Sequence, residues 1–451
     1  MVALKIVLGL IGLGVVVFVH ELGHFLAACL VGIDVEAFSL GWGKPILKKK
    51  IGAVEYRLGM FPLGGYCKMR GDNEFQEAYD NRQKTIAPVP GTFYGASPWR
   101  RIVVSFAGPF FNFVFAALVL TVIWGIGFEV QTLENRIVLA SDIEAGSYPA
   151  DKAGLKTGDR IIEINGKTIE NYHDIQENIA VNPEKMLPLR VERDGQILNL
   201  TIIPTLDKNT GAGKIGVYYW AEPVIEAVVP GSPAELAGLR PEDRLLSVNG
   251  EALPYTVALL RINQEKLPAL SLEYERNGVR KQAELPVTYT KEGDAKMGIE
   301  YRVQRYHTPR LFPPAALVKG TGEAWKTLVI SAKSLTLLFR GIDLTQAVSG
   351  PARITYMLGD IAAEGFGQSI GTGLSSMSNF LALISIALCI MNLLPLPILD
   401  GGLILLFIIE IIKRKPLHPK AINAFQTAGV VIIFSIMLFA VFGDILFFVN
   451  Q

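Results

Sequence analysis

The stretch VVVFVHELGHFLAAC, residues 15–29, places two histidines and a glutamate inside a segment that is otherwise apolar. A charged side chain at the centre of a membrane helix costs roughly 2.5 to 3.5 kcal/mol on insertion scales, so such residues are rare there and usually functional. His20, Glu21 and His24 are therefore the first candidates for a functional site, and the segment around them is the first candidate for a membrane helix.

The composition also indicates a membrane protein. Of the 451 residues, 50% are hydrophobic and only 19% are charged, and the mean hydropathy is +0.34. The net charge of +1 provides no basic surplus to neutralise phosphates, so we expect no nucleic-acid partner. Cys29, Cys67 and Cys389 lie far apart without C-x-x-C spacing, which predicts neither a disulfide framework nor a sulfur metal site.

Four segments are long enough to cross a bilayer as helices, which takes about 20 residues. We expect these spans within residues 1–33, 99–128, 371–412 and 421–451. The first is too long for a signal peptide and is expected to be retained. The third is interrupted by NLLPLPILDGG, residues 392–402, whose two prolines lack backbone donors. Such a break at membrane depth has to be lined by protein or water.

The positions of lysine and arginine predict the orientation in the membrane. Residues 34–98 and 413–420 are rich in both, and such loops face the cytoplasm. Because the four spans alternate, residues 129–370 and both termini are then expected on the opposite, periplasmic side. The bilayer itself is thus a predicted partner.

An internal repeat fills the region after the second span. AGSYPADKAGLKTGDRIIEINGKTI (145–169) aligns with PGSPAELAGLRPEDRLLSVNGEAL (230–253), and Asn-Gly recurs at 165 and 249, an offset of 249 − 165 = 84. The pattern resembles PDZ domains, and we expect two of them, at 129–220 and 221–305. Two β-rich binding domains of another kind are the alternative. Residues 306–370 are predicted to be amphipathic and to lie on the membrane surface or to pack as ordinary helices.

The polar cluster in the first span has the spacing of a metal site. Histidines at i and i+4 share one helical face and can reach a single tetrahedral ion, while the glutamate between them stands beside it. A soluble metzincin would need a histidine at position 30, where the chain has Leu30. Asp400 is the favoured third ligand because it is the only charged residue between Gly365 and Gly402. Weaker candidates are Asp34, Glu36, Glu55 and Glu410, the last interpreted as an interfacial charge.

His20-Glu-x-x-His24, SPWRRIVVSFAGPFFN (97–112) and MNLLPLPILDGG (391–402) occur in the order found in the site-2 protease family of intramembrane zinc metalloproteases, which the chain resembles over nearly its whole length. The resemblance implies one zinc ion per chain held by His20, His24 and Asp400, with Glu21 as catalytic base and Asn392 near the substrate. It also implies a bacterial inner-membrane protein that cleaves single-pass membrane proteins such as anti-sigma factors, and signal-peptide remnants as a further substrate. The same resemblance implies an upstream site-1 protease that cuts the substrate first, as part of an envelope stress response.

Substrate binding is assigned to a β-hairpin. VEYRLGMFPLGGYCKM (54–69) has strand-like residues on both sides of a Gly-Pro-Gly-Gly turn region, which resembles the family's membrane-associated hairpin and predicts one over about 51–70. A helix in lipid offers no free amide, so the substrate must unwind and pair with a strand edge. We expect Gly64, Gly65 and Tyr66 to bind it. A plain cytoplasmic hairpin is the alternative, and Asn112 is assigned to helix packing.

The predicted fold is an α-helical membrane protein with four transmembrane helices, a membrane-associated β-hairpin and two extracytoplasmic PDZ-like α+β domains. The predicted function is that of an intramembrane zinc endopeptidase whose PDZ pair filters substrates. A membrane-anchored PDZ scaffold or chaperone without hydrolytic activity is one alternative, but it leaves the polar cluster unexplained. A metal or proton transporter is another, and it has no use for peptide-binding domains.

Overall fold

The computed structural model of the chain describes residues 2–208, 210–261, 267–289, 295–337, 350–368 and 370–449. The chain folds as two compact units. The first comprises the described residues of Met1–Phe128, Thr308–Thr336 and Asp343–Gln451. The second comprises those of Glu129–His307 and Leu337–Ile342.

The first unit is built mainly from helices, which are numbered here in chain order, with α4 to α6 belonging to the second unit. They are α1 (Val2–Val31), α2 (Asp72–Asp80), α3 (Pro98–Ile126), α7 (Pro313–Leu337), α8 (Pro351–Gln368), α9 (Ile370–Leu393), α10 (Asp400–Lys413) and α11 (Pro419–Val449). Within the described residues, four helical stretches are long and apolar enough to cross a membrane, namely Gly9–Val31, Pro98–Ile126, Ile370–Leu393 and Pro419–Ile445. Four such helices, together with β-strands in open sheets, fit a membrane protein.

The third predicted span consists of two helices, α9 and α10, joined by the non-helical residues 394–399. Glycines make this sharp connection possible. A Cβ atom at Gly401 would lie 2.3 Å from the carbonyl oxygen of Leu393, and one at Gly402 would lie 2.1 Å from that of Leu396. The turn therefore brings the start of α10 against the end of α9, and Asp400 is the first residue of α10.

The first unit also contains a long β-hairpin, formed by β1 (Val35–Ile51) and β2 (Val54–Met69). Its antiparallel register runs from Val35 opposite Met69 to Ile51 opposite Val54. The hairpin thus begins at Val35 rather than near 51, and the predicted turn within 54–69 is wrong. The chain reverses at residues 52 and 53 instead, where Gly52 has a φ of 62°.

The hairpin bends so that its tip lies beside its base. Phe38 pairs with Cys67 on one side and with Tyr56 on the other. Gly41 and Gly64 stand at the bend with φ values of 84° and 86°, a conformation that favours glycine. The glycines that suggested a turn therefore serve to bend a continuous strand, and residues 65–69 pair with the base of β1.

Helices α7 and α8 lie within residues 306–370, the predicted amphipathic surface region. Residues 338–349 and 369 of this region lie outside the described part of the chain. α7 packs against α3, where a Cβ atom at Gly320 would lie 2.4 Å from the amide nitrogen of Thr121. α8 packs against α1 and α9, and its Leu358 and Ala362 are fully buried. α8 is thus a packed helix.

The second unit is built mainly from short strands. The strands are β3 (Glu129–Thr132), β4 (Ile137–Leu139), β5 (Arg160–Ile164), β6 (Lys167–Thr168), β7 (Leu187–Arg193), β8 (Gln196–Ile202), β9 (Thr205–Leu206), β10 (Gly213–Lys214), β11 (Val217–Tyr219), β12 (Ile225–Val228), β13 (Arg244–Val248), β14 (Glu251–Ala252), β15 (Ala269–Arg276), β16 (Val279–Pro286), β17 (Thr288–Tyr289), β18 (Ala295–Lys296), β19 (Ile299–Tyr301) and β20 (Gln304–His307). The helices are α4 (Pro149–Lys152), α5 (Tyr172–Ala180) and α6 (Pro233–Leu236), with 3-10 turns at Ala140–Asp142 and Thr256–Ala258.

These strands form two four-stranded sheets with the same strand order, β6-β5-β7-β8 and β14-β13-β15-β16. Two-stranded sheets pair β3 with β20, β4 with β11, β9 with β10, β12 with β19 and β17 with β18.

The sequence repeat is matched by a repeated ion pair. Arg193 binds both carboxylate oxygens of Asp159 at 2.7 Å. Arg276 binds those of Asp243 at 2.6 and 2.7 Å. In each pair the aspartate is buried and the arginine also donates to a glycine carbonyl. These hydrogen bonds raise the pKa of both arginines.

The first half of the repeat has an apolar core of its own, in which residues such as Ile161 are buried. It also adds Val138 and Ile143 to the apolar cluster of the second half. Trp220 packs against that second cluster, and the guanidinium of Arg136 stacks on its ring, with the guanidinium carbon 3.7 Å from the ring centroid. The predicted border at residue 220 therefore runs through a shared interface.

Candidate metal centre

Three of the predicted site residues meet in the first unit. Nε2 of His20 lies 3.2 Å from Nε2 of His24. Nε2 of His20 lies 3.3 Å from Oδ2 of Asp400, and Nε2 of His24 lies 3.4 Å from Oδ1. Among the described residues, these three form the group that could hold a metal ion. The two histidines lie on α1, and Asp400 is the first residue of α10. Tertiary packing therefore brings these three residues together, because they are far apart in the sequence.

The geometry and chemistry of this group fit zinc. Zinc binds imidazole nitrogen and carboxylate oxygen at about 2.0 to 2.2 Å, so neighbouring ligand atoms of a tetrahedral site lie about 3.3 to 3.5 Å apart. The two imidazole nitrogens lie 3.2 Å apart, close to this value, and each lies 3.3 to 3.4 Å from a different oxygen of Asp400, so the carboxylate faces both rings. Three protein ligands are also the number found in catalytic zinc sites, which keep one position open.

Helix α3 holds the two imidazole rings from behind. Nδ1 of His24 donates to the carbonyl oxygen of Val104 at 2.8 Å, which fixes the orientation of that ring. A Cβ atom at Gly108 would lie 2.3 Å from Nε2 of His24 and 2.8 Å from Cε1 of His20. Gly23 on α1 likewise has no side chain, which lets α1 come equally close to the carbonyl oxygen of Ala107 on α3. Two glycines thus let α1 and α3 touch at the site.

The hairpin lies against Glu21. The backbone amide of Cys67 faces the Glu21 carboxylate. A Cβ atom at Gly65 would lie 3.2 Å from Cγ of Glu21, so this position has no room for a larger residue. Burial raises the pKa of the Cys67 thiol to about 12, so the thiol stays neutral beside the site.

The other predicted substrate-binding residues lie further from the metal ligands. Gly64 packs on the indole of Trp42, and the hydroxyl of Tyr66 accepts a hydrogen bond from Arg57 at 2.9 Å. Asn392 lies half-buried on the last turn of α9, and its side chain makes no hydrogen bond to another described residue. Of the predicted substrate residues, the structure therefore places Gly65 directly beside Glu21.

The carboxylates that competed with Asp400 have other partners. Asp34, Glu36 and Glu55 pair with Arg70, Lys68 and Arg57 on the hairpin side of the unit. The interpretation of Glu410 as an interfacial charge is wrong. Its side chain is buried and binds Arg101 at 2.7 Å, which joins α10 to α3. Lys413 and Arg414, which suggested an exposed charge, are its neighbours in sequence and not its partners.

Sequence reasoning missed four contributions to the site. They are Gly108, Asn112, the Cys67 amide and the Arg101–Glu410 pair. Asn112, assigned to helix packing, is fully buried, and its Nδ2 lies 3.4 Å from Nδ1 of His20. Gly108 and Asn112 lie within the quoted motif SPWRRIVVSFAGPFFN, so their position in that motif was the available signal.

Comparison with known proteins agrees with this site. The sequence profile described as Peptidase family M50 matches residues 8–436. The chain is 39% identical to a "Putative zinc metalloprotease" of Treponema pallidum, covering 98% of this chain and 99% of the relative. It is 31% identical to "Regulator of sigma-E protease RseP" of Escherichia coli, covering 96% and 97%. It is also 31% identical to "Regulator of sigma E protease" of Haemophilus influenzae, covering 97% of each.

These matches extend over almost the entire chain and include both parts of the metal centre. The four apolar helices and the bacterial relatives fit a protein of the bacterial inner membrane. The donor set of two imidazoles and a carboxylate suits the zinc cofactor of this family. The chain is a zinc metalloendopeptidase and belongs to peptidase family M50, the site-2 protease family.

Proposed function

We propose that the chain cleaves peptide bonds within or near the transmembrane segments of single-pass membrane proteins, with His20, His24 and Asp400 as zinc ligands and Glu21 as catalytic base. The observation that carries this proposal is the convergence of His20, His24 and Asp400, three groups able to bind a metal, beside the Glu21 carboxylate of the apolar helix α1. Packing alone does not explain this cluster, because apolar side chains would join the helices without the cost of burying polar ones.

The chemistry divides between the ion and Glu21. A zinc ion held by His20, His24 and Asp400 would polarise the scissile carbonyl and activate a water molecule for attack. Glu21, next to His20 in the sequence, accepts the proton of the attacking water. It then delivers that proton to the leaving nitrogen as the peptide bond breaks. The backbone amide of Cys67 faces the Glu21 carboxylate and helps to orient it.

We propose that the substrate is held by β2. A transmembrane helix must unwind before its carbonyl can be attacked, and the exposed backbone then needs a hydrogen-bonding partner. The Gly64–Cys67 segment is close enough to Glu21 to present an added strand to the site. Exposed Trp42, Ile46, Leu47 and Phe61 on the same hairpin favour its insertion into the membrane surface. Asn392, just before the break that carries Asp400, is proposed as a further substrate contact.

Replacing Glu21 by glutamine tests the mechanism. The variant should bind one zinc per chain and cleave a single-pass transmembrane peptide about 10² to 10⁴ times more slowly, because general acid–base catalysis is lost. Zinc content is measured by elemental analysis and cleavage by mass spectrometry. Glu192→Gln, which changes an exposed carboxylate in the second unit, is the matched control. Full activity of Glu21→Gln contradicts the mechanism, and loss of zinc makes Glu21 a ligand. A scaffold or transporter predicts no cleavage by any form.

The orientation is proposed from charge. Loops 34–98 and 413–420 carry the lysines and arginines that mark cytoplasmic loops, which puts residues 129–305 and both termini in the periplasm. The relatives named "Regulator of sigma E protease" and "Regulator of sigma-E protease RseP" support a link to a sigma factor. We propose anti-sigma factors as the substrate class, cut first by an upstream site-1 protease.

We further propose that residues 129–305 are a PDZ pair that filters substrates by size. The repeated sheet order supports two similar domains, and Val138 and Ile143 of the first half, buried in the core of the second, support their packing as one block, which suits steric exclusion. Deleting residues 130–305 should then allow cleavage of a substrate whose periplasmic domain is untrimmed. Immunoblotting of full-length and trimmed substrate in cells measures this. Unchanged preference for the trimmed form contradicts a filter.

A further inference from the structure

Asn112 is a buried polar residue with an unsatisfied atom beside the metal centre. Its side chain is fully buried in α3, its Nδ2 lies 3.4 Å from Nδ1 of His20, and its Oδ1 has no hydrogen-bond partner within the described part of the chain. Buried amide oxygens nearly always accept a hydrogen bond, so an orphaned one needs an explanation.

The neighbouring histidine supplies one. Nε2 of His20 faces Asp400 and His24, so this nitrogen is the one that would bind zinc. A neutral imidazole that binds metal through Nε2 carries its proton on Nδ1, and that proton requires an acceptor. Nδ2 cannot accept it. A 180° rotation of the Asn112 amide exchanges two atoms of nearly equal size and places Oδ1 opposite Nδ1.

We propose that Asn112 is a positioning residue for His20, whose Nδ1 donates to Oδ1 of Asn112. One amide orientation then satisfies the orphaned oxygen, fixes the tautomer of His20 and sets the direction of its ring. The carbonyl of Val104 performs the same task for His24 at 2.8 Å. Helix α3 thus supports both histidines, through a main-chain oxygen for one and a side-chain oxygen for the other.

The backbone of Asn112 is itself held in place. The hydroxyl of Ser385 on α9 donates to the carbonyl oxygen of Asn112 at 2.9 Å, and both residues are fully buried. Gly108, one helical turn earlier, contacts both imidazole rings. This inference rests on the proposed function, because it requires His20 to be a zinc ligand.

The test compares zinc affinity in variants that differ in acceptor ability. Asn112→Leu keeps the branched shape but removes the acceptor and should weaken zinc binding by about 10- to 100-fold, the effect typical of lost supporting hydrogen bonds. Asn112→Asp keeps an acceptor and should stay within about threefold of wild type. Affinity is measured on the full chain in detergent by competition with a chelator. Cobalt absorption spectra report the ligand geometry independently of activity.

Thr121→Val is the matched control, because it removes a hydrogen bond of α3, from the Thr121 hydroxyl to the carbonyl of Ala117, that does not involve His20 or Asn112. Its zinc affinity should equal that of wild type. Equal affinity of Asn112→Leu and wild type overturns the inference, as does an equal loss in Asn112→Leu and Thr121→Val or in the Leu and Asp variants. If Asn112→Leu does not accumulate in the membrane, Asn112→Ala carries the same expectation. Undiminished zinc binding by His20→Ala instead contradicts the proposed function.

Discussion

At the scale of single residues, the site depends as much on small residues as on ligands. His20 and His24 can face Asp400 only because Gly108 leaves space at the α1–α3 contact. Polar groups behind the ligands matter in the same way. The Val104 carbonyl and the Cys67 amide each bind one site residue and have no side-chain chemistry of their own. The metal centre therefore depends on the close packing of α1, α3 and the hairpin, so a single added methyl group can disturb it.

Gly108→Ala should abolish stoichiometric zinc binding. The new Cβ would lie 2.3 Å from Nε2 of His24, closer than any contact that real structures tolerate, so either the ring or α3 has to move. Elemental analysis of the purified variant measures the loss. Gly322→Ala on α7 is the control, because a Cβ atom there meets no atom within 4 Å and alanine favours helix. Full zinc content in Gly108→Ala would show that the ligands do not need this close packing.

At the scale of elements, buried ion pairs fix how strands and helices are joined. Arg101 and Glu410 link α3 to α10. The Asp159–Arg193 and Asp243–Arg276 pairs link the residue before β5 to the end of β7 and the residue before β13 to the end of β15. The aspartates are almost fully buried, and each also accepts a backbone amide. Removing one partner from such a pair leaves an uncompensated charge, which is more damaging than losing the pair entirely.

Asp243→Asn should destabilise the second unit by about 3 kcal/mol, the lower end of the range for broken buried pairs, because the Arg276 guanidinium is partly exposed. Pulse proteolysis of the full chain in urea, followed through fragments of residues 129–307, gives the free energy of unfolding. Arg280→Gln, which breaks an exposed pair with Glu273, should change it by less than about 1 kcal/mol. Similar effects of the two substitutions would contradict the importance of burial.

At the scale of the whole molecule, the candidate metal centre and the repeated sheets belong to different units. All three proposed ligands, together with Glu21 and Asn112, lie in the first unit, whereas the repeated sheets make up the second. The first unit is assembled from chain segments before and after the second, and Asp400 comes from the later segment. A metal ion bound there connects α1 to α10 and so ties the two segments of the first unit together.

Removing zinc should therefore destabilise the first unit alone. A ligand that binds only the folded state at 100 times its Kd contributes about 2.7 kcal/mol of stability. With a chelator, the first unit should become protease-sensitive at a lower temperature, while residues 129–307 keep their midpoint. Mass spectrometry of the fragments separates the two units. Equal shifts in both would mean that the metal lies elsewhere or that the units unfold together.

The sequence alone determined the features that depend on neighbours along the chain. Four apolar segments, the shared face of His20 and His24, the break around Pro395 and Pro397, and the 84-residue repeat all follow from spacing and composition. Helical periodicity and the length of a bilayer are local rules, so residues a few positions apart suffice to apply them. The same rules misplaced the hairpin turn, since glycine marks a bend as readily as a reversal.

Only the tertiary structure decided which distant residues meet. The pairing of Arg101 with Glu410, the contact of Asn112 with His20 and the approach of Cys67 to Glu21 join positions 46 to 309 residues apart. Each depends on how closely α3, α10 and the hairpin pack against their partners, and glycine positions set that distance. Packing of this kind is decided by the shapes of all the elements together, which no local pattern in the sequence records.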